Sequence, residues 1–171
     1  MLLVVDANAL VGELLRVRGR ELFERDVLRL YISEQALDEA LHEMSRRAAR
    51  IVEQGRVSKQ AVEAMLDEAR GIVERQISLV PSEVYALFEE RAAYQMPRDP
   101  DDVPTVALAL ALGGDEGRCG IWTNDGDFLG CGLPTWTTDT LLAHLGKLIR
   151  PWRRKQDQEI GTSGSVSGWR C

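Results

Sequence analysis

Short apolar runs that alternate with longer amphipathic segments constrain the fold of this chain more than any other feature. Five runs rich in Leu, Val, Ile and Trp have the length and composition of buried strands. They cover residues 2–5, 28–32, 77–80, 120–123 and 135–136. Because helical segments separate these runs, the alternation predicts a three-layer α/β/α fold with a mostly parallel sheet.

Two long helical segments in the middle of the chain are predicted to pair as an antiparallel hairpin. In the first, apolar residues recur at three- and four-residue steps from Leu37 to Val52, and Gly55 ends the helix. Ser33 and Ser58 stand where helix N-caps are expected. Further helices are predicted at residues 9–17, from Pro81-Ser82 onward, and at 103–112 and 138–149.

The length of 171 residues suits one domain with a single core. We place that domain at residues 1–149, followed at 150–171 by a tail that is first basic and then Gly/Ser-rich and is expected to be flexible. The first apolar run meets Asp6 too early for a signal peptide, and no run is long enough to span a bilayer. We therefore expect a cytoplasmic protein with no membrane contact.

The net charge of −6 argues against a protein that coats nucleic acid through bulk electrostatics, because phosphate binding normally requires a basic surface. Any contact with RNA would need local basic clusters. Two such clusters are present, and each is also explained as a solvated surface. They are Arg46, Arg47 and Arg50 in a helical segment, and Arg150, Arg153, Arg154 and Lys155 near the end.

Acidic residues recur where the predicted strands end and the next helices begin. Asp6 follows the first strand, Asp125 and Asp127 follow the fourth, and Asp101 and Asp102 begin a helix. These positions meet in the ligand crevice of an open α/β sheet. Since clustered like charges are unfavourable without a cation, they indicate a metal site, and oxygen ligands favour Mg²⁺ or Mn²⁺. Such a site activates water and stabilises a phosphate, which indicates phosphodiester hydrolysis.

Each acid also has a structural interpretation when taken alone. Asp6 and Asp102 are good N-cap residues, and Asp125-Gly126 is a common turn. Two other enzyme classes place Asp at strand ends. A Mg²⁺-dependent phosphatase would need a second Asp where Asn8 stands, and a receiver domain would need a paired acid beside the first strand and a downstream Lys at a strand end.

Taken together, the acidic motifs resemble those of the PIN-domain family in their order and spacing over about residues 1–145. The motifs are Val4-Val5-Asp6-Ala7-Asn8, then Ser33 with Glu39, then Asp99 to Asp102 before Ala107-Leu108-Ala109-Leu110, and finally Trp122-Thr123-Asn124-Asp125-Gly126-Asp127-Phe128.

The resemblance implies a metal-dependent ribonuclease acting on single-stranded RNA. It assigns the catalytic acids to Asp6, Glu39, Asp102 and Asp125, and the metal ligands to Asp6, Asp102, Asp125 and Asp127. It implies that Asn8 and Thr123 orient the carboxylates by hydrogen bonding. Two alternatives stay open, namely Asp101 in place of Asp102 and Glu43, one turn further along the same helix, in place of Glu39.

The same resemblance suggests possible partners. Many bacterial PIN proteins are toxins that a partner antitoxin neutralises, and a homodimer is expected. The alternative of a different class is a catalytically silent PIN fold that acts only as a binding module.

Overall fold

The computed structural model of this chain describes residues 1–55 and 57–146, and its centre is a five-stranded sheet. The strands are β1 (Leu2–Val5), β2 (Arg29–Ser33), β3 (Ile77–Val80), β4 (Cys119–Trp122) and β5 (Thr135–Trp136). They lie in the order β3-β2-β1-β4-β5, and all four pairings are parallel. The predicted parallel sheet is confirmed.

Helices connect the strands, as the alternating pattern predicts. They are α1 (Ala7–Leu14), α2 (Val17–Phe23), α3 (Glu34–Glu53), α4 (Lys59–Gln76), α5 (Glu89–Gln95), α6 (Val103–Ala111) and α7, which spans residues 138–146 of the described part. The helices α3 and α4 pack against each other. Together with the sheet, α1 to α6 form the predicted three-layer α/β/α fold. None of the described helices is both long enough and apolar enough to cross a membrane.

The order of the strands creates a crevice between the ends of β1 and β4. The chain passes from β1 outward to β2 and β3, and then returns to the other side of β1 to form β4. In this register Val5 lies beside Trp122, so the residues that follow each strand are neighbours. Such a reversal of direction leaves a crevice at the carboxyl edge of the sheet, which is the usual ligand site of this fold class.

The core holds the strands and α6 rigidly around this crevice. Val5 and Trp122 are fully buried, as are most residues of α6. Because α6 contacts β1, β2 and β4 and also packs against α5, it is apolar on nearly all sides. A helix that precedes a parallel strand runs antiparallel to it, so α6 begins at the carboxyl edge of the sheet, near Asp102.

Two of the predicted helices differ in the structure. The helix predicted at residues 9–17 corresponds to α1, which already starts at Ala7 and ends at Leu14, and a second helix that was not predicted, α2, follows Leu15-Arg16. Gly19 allows this second helix to approach α1, because a Cβ there would lie 2.2 Å from the carbonyl oxygen of Glu13. So short a helix gives little periodic signal.

The second difference lies after β3. Instead of the helix predicted from Pro81-Ser82, the chain forms two short 3₁₀ turns, Ser82–Val84 and Ala86–Phe88, and α5 begins only at Glu89. The turns bury Tyr85, whose hydroxyl group hydrogen-bonds the side chain of Gln35. The predicted domain boundary at residue 149 and the tail at 150–171 lie outside the described residues and stay predictions.

Candidate active site

Asp6 lies at the carboxyl end of β1 and is buried, with 2% of its surface exposed. Its backbone N–H donates to the carbonyl oxygen of Trp122 at 3.0 Å, which continues the pairing with β4. Although Asp6 occupies the N-cap position of α1, its side chain makes no capping hydrogen bond. The carboxylate instead accepts a hydrogen bond from the hydroxyl group of Thr123, with Oδ2 and Oγ1 separated by 2.9 Å. The backbone N–H groups of Asn8 and Ala9 still act on this carboxylate, as at an N-cap, without reaching hydrogen-bond geometry, so Asp6 combines the N-cap position with the contact to Thr123.

The hydroxyl group of Thr123 connects Asp6 to the second acidic turn. While it donates to Asp6, it also accepts a hydrogen bond from the backbone N–H of Asp125 at 2.9 Å. Asp125 Oδ1 in turn accepts from the backbone N–H of Asp127 at 2.9 Å and so caps the short 3₁₀ turn Gly126–Gly130. Asp125 therefore has the turn-forming role that its sequence allows, and it also lies within electrostatic range of Asp6.

Two further acids, Asp102 at the start of α6 and Glu39 in α3, reach this site. Asp102 precedes α6 at the N-cap position without a capping hydrogen bond from its side chain. Burial raises the pKa of the Asp102 carboxyl to about 7, and the negative charges of Asp6, Asp99, Asp125 and Glu39 add to the rise. Carboxyl groups from separate elements of the fold therefore share one electrostatic field.

The electrostatics of the other carboxyls agree with this arrangement. Burial raises the pKa of Asp6, and the negative charge of Asp125 adds to the rise. The hydrogen bond from the Thr123 hydroxyl group opposes it, as does the backbone N–H of Asn8. Burial likewise raises the pKa of Glu39, and the charges of Asp6 and Asp101 raise it further. A site whose acids disfavour one another's ionisation gains stability when a cation binds.

Glu39 and Glu43, which the sequence leaves as alternatives, have different surroundings. Glu43 accepts a hydrogen bond from Arg47 at 2.7 Å and forms an ion pair with Arg46. The hydrogen bond from Arg47 holds the pKa of Glu43 below its ordinary value. Glu39 instead experiences the negative field of Asp6, so it is Glu39 that belongs electrostatically to the acidic crevice.

The basic residues proposed as RNA contacts are only partly described. Arg46 and Arg47 point their guanidinium groups at Glu43, and their side chains remain 61% and 37% exposed. Arg50 is exposed. The second cluster, Arg150, Arg153, Arg154 and Lys155, lies outside the described residues.

The remaining predicted site residues lie at the margin of the crevice. Asp127 carries a carboxylate 3.6 Å from the guanidinium group of Arg98. Asp101 is exposed, and its backbone N–H donates to Asp99 at 3.0 Å. Asn8 is exposed as well, and its backbone N–H favours ionisation of the Asp6 carboxylate. The orienting role predicted for the Asn8 side chain stays a prediction.

The donor chemistry of the crevice fits a hard divalent cation, since Asp6, Asp102 and Asp125 offer carboxylate oxygens. Nevertheless, no group of three His, Cys, Asp or Glu side chains in the described part of the chain converges closely enough to hold a metal ion. Binding would therefore require these side chains to move closer together.

A partly buried polar network around Thr138 was not predicted from the sequence. The Thr138 hydroxyl group donates to Glu13 at 2.9 Å and accepts from the side chains of Trp122 at 3.1 Å and Asn124 at 3.3 Å, which saturates its hydrogen-bonding capacity. Asn124 also accepts from the backbone N–H of Thr138 at 3.1 Å. The network holds the residues on either side of Thr123. Glu13 and Thr138 are far apart in sequence and match no motif, so no local signal could have paired them.

The comparisons with known proteins agree with this architecture. A family model described as a PIN domain matches residues 4–146. The fold is similar to the crystal structure of PAE2754 from Pyrobaculum aerophilum, with a TM-score of 0.56 and 19% sequence identity over 85% of this chain and 95% of that chain. At this identity the likeness shows the fold alone. No curated protein matches the chain. Because the family model covers more than half of the sequence, from the end of β1 to α7, this chain belongs to the PIN-domain family.

Proposed function

We propose that this protein is a metal-dependent endoribonuclease that hydrolyses phosphodiester bonds of single-stranded RNA with Mg²⁺ or Mn²⁺. PIN domains are generally nucleases. The observation that carries the proposal is the electrostatic coupling at Asp102. Burial and the charges of four other carboxyl groups raise the pKa of Asp102 to about 7. A fold that needed these acids only as helix caps and turn residues would have no reason to gather them in one crevice.

In this mechanism, Asp6, Asp102 and Asp125 would hold the metal ion, and Asp127 would contribute at the margin. A bound divalent ion would supply the activation of a water molecule and the neutralisation of charge on the phosphate. The Thr123 hydroxyl group orients the Asp6 carboxylate through the hydrogen bond of 2.9 Å. Glu39 is the fourth catalytic acid, because the negative charge of Asp6 acts on it, whereas Arg46 and Arg47 neutralise Glu43. Asp101, which is exposed, adds its negative charge to that of the crevice.

Cleavage of a labelled single-stranded RNA by the purified full-length protein tests this proposal. Cleavage should require Mg²⁺ or Mn²⁺ and should stop when EDTA is added. Asp6→Asn, purified in the same way, controls for contaminating ribonucleases, because it removes one metal ligand and preserves the shape of the side chain. Metal-independent cleavage that follows the protein through purification, or cleavage that Asp6→Asn retains, would contradict the mechanism.

The competing function is a catalytically silent PIN fold that only binds its partner. The lack of a ready-made three-carboxylate metal site among the described residues favours this alternative. A metal titration with labelled RNA separates the two functions. Binding without cleavage at every Mg²⁺ and Mn²⁺ concentration would support the silent module. Membership of the PIN-domain family removes the sequence-based case for a phosphatase or a receiver domain.

The biological role that we propose is that of the toxin in a toxin–antitoxin pair, acting on cellular RNA as a homodimer. Induced expression should then arrest growth, and expression of Asp6→Asn should not. Sequencing the RNA ends produced after induction identifies the target. Sedimentation of the purified protein tests the dimer, and normal growth during expression of an active enzyme would contradict the toxin role.

A further inference from the structure

A cleft of about 650 Å³ adjoins the acidic crevice on the side of Asp127. It opens between the end of α5 and the short 3₁₀ turn that follows β4. Its walls include Tyr94, Met96, Arg98, Asp127 and Leu129. Since Asp127 belongs to both the cleft wall and the acidic margin, the two sites are continuous.

The walls of this cleft expose apolar side chains that the core does not use. Tyr94 is 88% exposed and Leu129 is 77% exposed, whereas the neighbouring Phe128 is fully buried. Large apolar groups exposed together around a concave surface indicate a binding site. Arg98 lies in the same cleft with a side chain that is 82% exposed. Its ion pair with Asp127, at 3.6 Å, offsets its charge but leaves guanidinium N–H groups available to a phosphate.

This combination of groups fits a nucleotide. An aromatic ring provides a stacking surface for a base, and a guanidinium group pairs with phosphate. A second cleft of about 400 Å³ is lined by Glu39 and Asp101 and by no basic residue, so without a bound cation it repels a phosphodiester backbone. The side that carries Arg98 is therefore the favourable path for an RNA strand.

We propose that this cleft, lined by Tyr94, Arg98 and Leu129, is a nucleotide subsite that stacks one base of single-stranded RNA against Tyr94 while Arg98 contacts an adjacent phosphate. The inference rests on the proposed ribonuclease function, which would bring a phosphate of the same strand to the acidic crevice. The cleft would thereby position the strand next to the bond that is cut.

The test measures the affinity of a short fluorescent single-stranded oligoribonucleotide for the full chain carrying Asp6→Asn, so that no cleavage interferes. Adding Tyr94→Ala should weaken binding by roughly 5- to 150-fold, the range expected for loss of one base–aromatic stack. Tyr94→Phe keeps the ring and should retain the affinity. Arg98→Gln should weaken binding and reduce its salt dependence. Leu87→Ala is the matched control, since Leu87 is 94% exposed and lies outside the cleft walls.

An oligoribonucleotide with abasic positions identifies the interaction that is lost. With this probe, Tyr94→Ala and the parent protein should bind equally, because neither has a base to stack. Unchanged affinity in Tyr94→Ala, or an equal loss in Leu87→Ala, would overturn the subsite while leaving the nuclease proposal intact. A change only in self-association would assign the cleft to a second copy of the chain and also overturn it. Failure of the wild-type protein to bind or cleave any RNA would instead refute the proposed function itself.

Discussion

Replacing Asp102 by Asn should stabilise the metal-free protein, and the gain should grow with pH. Asp102 lies in the field of several other carboxyls, and its pKa is raised from 3.8 to about 7. The side chain makes no capping hydrogen bond that the substitution would remove, and Asn is itself a good N-cap. The variant therefore deletes the unfavourable charge and changes little else.

The pKa shift determines both the direction and the size of the effect. Between pH 3.8 and about 7 the folded protein binds more protons at Asp102 than the unfolded chain, so its contribution to the free energy of unfolding falls as the pH rises. Each pKa unit corresponds to about 1.4 kcal/mol, which sets an upper bound of about 4 kcal/mol on the penalty above pH 7. Because Asp102 is only partly buried, solvent screening reduces the expected gain to ~1–2 kcal/mol.

Urea unfolding in EDTA, followed by circular dichroism at about pH 5 and about pH 8, measures this gain. Asp101→Asn is the matched control, because it removes the same charge from the adjacent, exposed residue. The advantage of Asp102→Asn over wild type should be smaller at about pH 5 than at about pH 8, and at about pH 8 it should exceed that of Asp101→Asn. An advantage independent of pH, or one equal in the two variants, would refute the electrostatic argument.

Three further predictions concern the metal, the Asp6 carboxylate and the polar network. The Mg²⁺ affinity of wild type, measured by its stabilisation against unfolding, should fall as the pH decreases from about 8 to about 6, because protons compete for Asp102; an unchanged affinity would exclude Asp102 as a ligand. Asp6→Asn should lose cleavage, melt at or above the wild-type temperature in EDTA, and gain less stability from Mg²⁺; an active variant with wild-type Mg²⁺ stabilisation would remove Asp6 from the site. Thr138→Val should lower kcat by roughly 10- to 100-fold, because it removes the hydroxyl group that accepts from Trp122 and Asn124 and donates to Glu13, although the backbone N–H of residue 138 still donates to Asn124. Thr138→Ser should retain activity, and equal kcat values in both variants would limit the network to stability.

The strands were predictable from local sequence, and two of the connecting segments were not. The five strands lie within about one residue of their predicted positions, because buried parallel strands are short, continuous apolar runs. The short helix α2 and the 3₁₀ turns after β3 gave no comparable periodic signal. Their conformations depend on tertiary packing, namely the close approach at Gly19 and the burial of Tyr85.

The sequence by itself determined that acidic residues follow β1 and β4 and precede α6, because strand ends and helix starts are local features. Only the tertiary structure decided which of these carboxyl groups lie close enough to raise one another's pKa. It separated Glu39 from Glu43 through an arginine ion pair, and it joined Glu13 to Thr138 across 125 residues of sequence. The physical reason is that desolvation, Coulomb interactions and hydrogen bonds depend on distance through space, which the order of residues along the chain does not contain.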